Sequence, residues 1–313
     1  MNEEIALVTG GAGFIGSHLC EYLLNKGFKV ICADNLSTGS EKNIEKLRTN
    51  EDFKFLKKDV RDDLEIKEKI NYIFDMASRA SPKDFKDYPI DILTTNGFGV
   101  FNLLNLAEKN NAKFLFSSTS EIYGDPKEHP QKETYCGNVN TLGIRGCYDE
   151  AKRFAEAMTM AYVREKNVDA RIIRIFNTYG PRLNEYDGRV ISNFITQALR
   201  NEPITVYGDG NQTRSFCYVS DMVEGIYKAM MEGKKGDVYN LGGEDEYKIL
   251  DIASKIKELT STNSNIVFKE LPEDDPRIRK PNIGKAKKYL NWEPIINLED
   301  GLKKTIEYFK NEI

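Results

Sequence analysis

Tyr148 and Lys152 stand four residues apart in Cys147-Tyr148-Asp149-Glu150-Ala151-Lys152. The spacing of apolar residues predicts a helix over about 147–167, and a four-residue step puts both side chains on one face. A tyrosine is a poor base at its ordinary pKa of about 10. A nearby ammonium favours the phenolate. One unit charge at about 4 Å, at an effective dielectric constant of about 20, contributes about 4 kcal/mol, or about three pKa units. That would bring the phenol near neutrality and let it take a proton from an alcohol. Thr119 ends the apolar run that begins at Lys113 and can hold the alcohol's hydroxyl against the phenolate. The pair alone is a weak signal, because the same spacing serves as an i,i+4 contact on an exposed amphipathic helix. The elements around it decide.

Those elements begin with Ile5-Ala6-Leu7-Val8-Thr9-Gly10-Gly11-Ala12-Gly13-Phe14-Ile15-Gly16. Four apolar residues fit a buried parallel strand. A glycine cluster follows, then a helix pattern through Leu19, Leu23 and Leu24. Strand, glycine turn and helix together mark a phosphate-binding loop. Gly10 serves the sharp turn, Gly13 the approach of backbone to a pyrophosphate, and Gly16 the packing of helix on strand. The helix start, Phe14 and Ile15, offers free N–H groups to the anion. A second strand, Lys29–Ala33, ends in Asp34, about twenty residues beyond the glycines, where a carboxylate accepts both ribose hydroxyls. A carboxylate there would repel a 2′-phosphate, so NAD is favoured over NADP. The positive nicotinamide would further favour the Tyr148 phenolate.

The strands recur. Phe53–Leu56 is followed by Asp59-Val60, a carboxylate and a backbone N–H for an adenine edge. Tyr72–Ala77 ends in the small residues Ala77 and Ser78 beside Met76. Lys113–Ser117 and Arg171–Phe176 follow, with a long helix from Pro89 to about Asn110 between the earlier pair. Alternating strands and helices predict an α/β fold, a Rossmann doubly wound parallel sheet, with ligands at the carboxyl ends of the strands. Gly10, Asp34, Asp59, Ser78, Thr119 and Asn177 fall at those ends. After Asn177 the elements shorten: strands are expected at Ile204–Val206, Ser215–Val219 and Ile266–Phe268. We read residues 1–176 as an NAD-binding domain, with segments near 215–245 returning to it. Residues 177–313 form a smaller substrate-binding domain.

Composition narrows the class. The chain has 313 residues, 45 basic and 49 acidic, with a net charge of −4. No basic stripe suits nucleic acid, and no apolar run nears the roughly 18 residues that cross a bilayer. The first strand is expected to start at once, so no signal peptide is expected. Five cysteines without a CxxC pair and only two histidines predict reduced cytoplasmic thiols and no metal site.

The motifs T-G-G-x-G-F-I-G, S-T-S-E-I-Y-G, Y-D-E-A-K-R and R-I-F-N-T-Y-G-P-R resemble those of the extended short-chain dehydrogenases acting on nucleotide sugars. Within them, the chain is most similar to the UDP-glucuronate decarboxylase group. The resemblance runs from residue 5 to about 309 and takes in Asp187–Phe194, Val206–Arg214, and Asp274-Asp275-Pro276 through Arg279-Lys280-Pro281. It implies that NAD stays bound and that Tyr148, supported by Thr119 and Lys152, deprotonates the sugar C4 hydroxyl while C4 gives hydride to NAD. The 4-ketone then lets the C6 carboxylate leave as CO2, converting UDP-glucuronate to UDP-xylose. By the same resemblance Ser120 and Glu121 stand beside C5 and C6, with Glu121 among the catalytic residues, and Arg279 near the carboxylate. Asn35, Thr38, Gly39 and Arg189 join the cofactor set. Asn177, Asn193, Phe194, Tyr207, Gln212 and Arg214 join the substrate set. The helices 89–110 and 147–167 are implied to pair as a four-helix bundle in a homodimer.

The group's Ala-Ser-Pro-Ala-Ser-Pro stands here as Ala77-Ser78-Arg79-Ala80-Ser81-Pro82, and the sequence departs further at Cys136, Thr141, Ile144, Thr94 and Asp75, where the group has Trp, two Pro, Lys and His. These positions bear on the sugar pocket. They leave open a C4 dehydrogenase or a 4-epimerase acting on another UDP-, GDP- or dTDP-linked sugar. A 4,6-dehydratase is further off, because Ser120 replaces the Asp that would protonate its leaving group. A non-catalytic NAD-binding scaffold would have no need of Thr119, Tyr148 and Lys152 together. Arg79 could grip a different anion or point outward.

Overall fold

The computed structural model describes residues 4–271 and 278–313; the Asp274-Asp275-Pro276 motif lies outside them. Strands β1 (Ile5–Thr9), β2 (Lys29–Ala33), β3 (Phe53–Leu56), β4 (Tyr72–Asp75), β5 (Lys113–Thr119) and β6 (Ala170–Ile175) join Val238–Leu241 in one seven-stranded sheet. Its order is Val238–Leu241, β6, β5, β4, β1, β2, β3, and every pairing is parallel. Parallel neighbours need crossovers, and helices supply them on both faces.

Side-chain alternation divides the core accordingly. Leu7, Ile31, Ile73, Phe114 and Phe116 pack beneath the helices Val100–Asn110 and Gly146–Glu165. Ala6, Val8, Cys32 and Phe74 face the other way, toward Phe14–Asn25 and Val219–Glu232. The period of two along each strand sends consecutive residues to opposite layers. The carboxyl ends of β1, β4 and β5 lie side by side, so Thr9, Asp75 and the Phe116–Thr119 segment are neighbours.

Two predicted elements differ in detail. The helix from Pro89 is interrupted: Pro89–Thr94 and Val100–Asn110 are joined by a π-helical turn, Thr95–Gly99. The wider turn carries the fully buried Asn96, whose Nδ2 donates to Ser78 Oγ at 3.0 Å and to the Ile92 carbonyl at 2.9 Å. It also brings Thr95, rather than Thr94, to the central cavity. Thr94 instead accepts from Arg61 at 3.0 Å. The predicted strand Ser215–Val219 divides into Thr213–Ser215 and Cys217–Tyr218, which belong to different sheets. Thr213–Ser215 pairs with Glu246–Lys248 and with Ile278–Arg279, and this register sets Arg279 beside Arg214.

Candidate active site

A cavity of about 530 Å³ opens along the carboxyl ends of the strands. Its wall includes Gly10, Gly13, Phe14, Ile15, Gly16, Asp34, Asn35, Thr38, Asp59, Val60, Met76, Ala77 and Ser78, and further along Thr119, Ser120, Glu121, Tyr148, Lys152, Asn177 and Arg189. Gly39 sits behind the wall, where a Cβ would stand 2.8 Å from the Asp34 carboxylate. Asn193, Phe194, Tyr207, Gln212, Arg214 and Arg279 are not in the wall. Phe194 packs in the apolar core, Asn193 donates to the Gly188 carbonyl, and Gln212 to that of Tyr207.

The glycine end has the shape a pyrophosphate requires. Gly10 has φ +63°, and a Cβ there would lie 2.7 Å from the Met76 carbonyl oxygen; at Gly16 it would lie 2.1 Å from the Gly10 carbonyl oxygen. Neither position admits a side chain. Asp34 accepts from Ala12 N–H at 3.0 Å and Leu36 N–H at 2.7 Å. Burial raises its pKa while these N–H groups act against the rise. The Gly13 N–H bonds to Asp34 as well; a carboxylate has about four acceptor positions, which leaves about one for a ribose hydroxyl. Asp59 is tied to Arg61 at 2.7 and 2.8 Å and to Asn35 at 2.7 Å; the Arg61 hydrogen bonds hold its carboxyl well below the usual range. Ser118 Oγ, buried in the wall, has no hydrogen-bond partner. The glycine cradle, the Asp34 carboxylate with a remaining acceptor position and the unpartnered Ser118 hydroxyl fit a dinucleotide.

At the other end Tyr148 lies buried, with Phe85 stacked on its ring at 5.0 Å and the Thr119 hydroxyl bonded to its phenol. Phe85 is far away in sequence, and nothing in its local pattern marks it. Burial drives the phenol's pKa well above its usual value, against the Thr119 hydrogen bond and the positive charge of Arg189. Lys152 lies on the same side of the helix as Tyr148. Its Nζ is 5.9 Å from the Tyr148 ring centre and donates to the Ser117 carbonyl at 2.8 Å. Burial lowers the Lys152 pKa to about 8, with Asp75 and Glu156 acting the other way. Asp75 itself is buried and accepts from Thr9 Oγ1 at 2.8 Å.

Glu121 is the other charged centre. Arg279 donates to it through both terminal nitrogens, one at 2.7 Å, and Arg145 donates as well. Burial pushes the Glu121 pKa up, but the two guanidiniums outweigh it and hold the carboxyl at about 2. Arg279 is thus 158 residues from its partner in sequence yet reaches the cavity wall through it. Arg145 escaped sequence reasoning; its place three residues before Tyr148 was the available signal. Arg79 lines the cavity rather than pointing outward. It lies over the Tyr88 ring at 4.0 Å and donates to Asp91 at 2.8 Å.

The family described as NAD dependent epimerase/dehydratase matches residues 6–242. UDP-glucuronic acid decarboxylase 2 of Arabidopsis thaliana is 48% identical over 307 residues, 98% of this chain and 68% of that protein. Among solved structures, UDP-glucose 4-epimerase of Thermotoga maritima superposes with a TM-score of 0.91 at 33% identity, covering 98% of this chain and 99% of that one. UDP-glucuronic acid 4-epimerase of Bacillus cereus, solved with NAD, gives 0.89 at 28%, covering 99% and 100%. Fingerprint, sheet order, Tyr148-Lys152 pair and near full-length similarity agree, and the chain belongs to the NAD dependent epimerase/dehydratase family.

Proposed function

We propose that this protein converts UDP-glucuronate to UDP-xylose by oxidation at C4 and loss of the C6 carboxylate. The observation that carries this reading is the 48% identity to a UDP-glucuronic acid decarboxylase across 98% of the chain. Arg279 and Arg145 at the Glu121 wall supply the cationic surroundings a uronate needs. Asp34 and the Gly10–Gly16 loop hold NAD, which when bound supplies the hydride acceptor for C4. Tyr148 takes the C4 hydroxyl proton, and Thr119 fixes that hydroxyl in line with the phenol. Lys152 keeps a positive charge beneath the pair. Phe85 excludes water from one face of the phenol.

The deciding experiment gives the purified protein UDP-glucuronate and NAD. The expected products are CO2 and a UDP-pentose in equal amounts. A UDP-hexuronate of inverted C4 configuration without CO2 would favour the second reading, a UDP-glucuronate 4-epimerase, which the likeness to the Bacillus cereus protein supports.

Arg279→Gln is expected to reduce kcat/KM for UDP-glucuronate about 100-fold, since truncating one partner of a buried charge pair costs about 2–5 kcal/mol. Affinity for UDP should stay within about threefold. Equal losses for both ligands, measured by calorimetry, would show that Arg279 supports the fold rather than the carboxylate.

The same reading includes a homodimer. Ile90, Leu93, Phe98, Phe101 and Phe154 are exposed apolar side chains on the helical segments from 89 to 110 and from 146 to 165, and a four-helix bundle would cover them. No helix among the described residues is long and apolar enough to cross a membrane; we place the enzyme in the cytoplasm. Residues 1–176, with the returning helix Val219–Glu232 and strand Val238–Leu241, form its cofactor domain, and the rest of 177–313 mainly its substrate domain.

A further inference from the structure

Asp149 follows the base in sequence, and the proposed reaction leaves it without a task. Its side chain is 4% exposed, and its Oδ1 has no hydrogen-bond partner. Arg145, Asp149 and Arg153 recur every four residues and share one side of the Gly146–Glu165 helix. That side packs on the Ser120–Tyr123 turn: Arg145 donates to the Glu121 carboxylate, and Arg153 donates to the Ile122 carbonyl at 3.1 Å. Asp149 lies between them on that side, near enough to Glu121 for its charge to act on the Asp149 carboxyl.

We propose that Asp149 stores the proton that the sugar C5 takes up after CO2 has left, and that Glu121 relays it. The inference rests on the decarboxylation reading and adds an acid to it. Converting a uronate to a pentose and CO2 consumes one proton. The electron pair of the C5–C6 bond moves toward the C4 carbonyl, giving an enolate. A proton must then form the new C5–H bond while that pair returns. Tyr148 cannot supply it, because the proton it removed from the C4 hydroxyl goes back to O4. Glu121 alone cannot supply it either, because two guanidiniums keep it ionised.

A buried carboxyl with an unpartnered oxygen beside an ionised carboxylate is most stable as the neutral acid. Among the described residues the charged and titratable groups facing Asp149 are Glu121, Arg145, Arg279 and Glu150, with Tyr148 and Cys147 adjacent. Burial, then the Glu121 charge, raise its pKa to about 8, and the arginines act against the rise. A uronate that engages Arg279 draws that cation from Glu121. Glu121 then becomes the stronger base of the two, takes the Asp149 proton, and delivers it to C5 from the cavity wall. Solvent restores the proton to Asp149 after product leaves.

The test uses the NAD-loaded enzyme and UDP-glucuronate in heavy water. Wild type is expected to place deuterium at one face of C5 and to release one CO2 per UDP-xylose. Asp149→Asn should still release CO2. It should make UDP-xylose about 100-fold more slowly, with CO2 exceeding UDP-xylose and deuterium on both faces of C5. Infrared difference spectra of the wild type at pH 7 should show a protonated carboxyl band that Asp149→Asn lacks, and this band is read without turnover. An Asp149→Asn enzyme with wild-type rate and one-sided deuteration would overturn the role of Asp149 and leave decarboxylation standing, as would absence of the band. A wild type that releases no CO2 would overturn the decarboxylation reading and this step with it.

Discussion

Tyr148→Phe is expected to lower kcat about 10³-fold, the range that a positioned acid or base contributes. Binding of NAD and of UDP-glucuronate should stay within about threefold. The expectation rests on what the phenol touches. Its ring keeps the Phe85 stack at 5.0 Å in the variant, because phenylalanine preserves the ring. Only the hydroxyl and its bond to Thr119 are lost, and a single hydrogen bond contributes about 0.5–1.5 kcal/mol net. Stability therefore changes little while the proton acceptor disappears. Burial holds the phenol protonated in the free protein, so the phenolate is formed only with cations gathered at the site: Arg189, Lys152 and the bound cofactor. Absorbance titration of the phenol should show its pKa fall when NAD is added to wild type and no such group in the variant. A Tyr148→Phe enzyme retaining a tenth or more of wild-type kcat would remove Tyr148 from the reaction.

The cofactor half of this site was legible in the sequence because its determinants are local. Gly10, Gly13 and Gly16 sit within one turn, Asp34 ends the next strand, and the order of strands follows from their alternation with helices. Tyr148 and Lys152 were legible for the same reason, since helical spacing puts them on one face. What the pattern could not give were relations across the chain. Arg279 meets Glu121 only because Ile278–Arg279 pairs with Thr213–Ser215, a register that no local pattern encodes. Phe85 reaches Tyr148 through a short helix ahead of Pro89. The π-helical turn at Thr95–Gly99 differs from the predicted regular helix because the buried Asn96 takes Ser78 as a partner. The Lys152 ammonium donates to the Ser117 carbonyl, a partner that spacing rules do not give.

Lys152→Met should separate catalysis from stability. Activity is expected to fall 10²- to 10³-fold, because the ammonium beneath the base is lost. Stability at pH 7 is expected to rise. Burial lowers the Lys152 pKa from 10.5 to about 8, so the folded protein holds this charge at a cost of about 3 kcal/mol. Loss of the bond to the Ser117 carbonyl, and of the cation that offsets Asp75, returns part of that, leaving a gain of about 1–2 kcal/mol. Between pH 8 and 10.5 the unfolded chain binds more protons at this residue than the folded chain. Wild-type stability from this group therefore rises with pH through that window, and below pH 8 the whole cost is in force. The difference in Tm between variant and wild type should be largest at pH 7 and shrink toward pH 10. A wild type more stable than Lys152→Met by the same margin at both pH values would mean that the ammonium sits in the fold at no cost. The separation of its structural and catalytic effects would then fail.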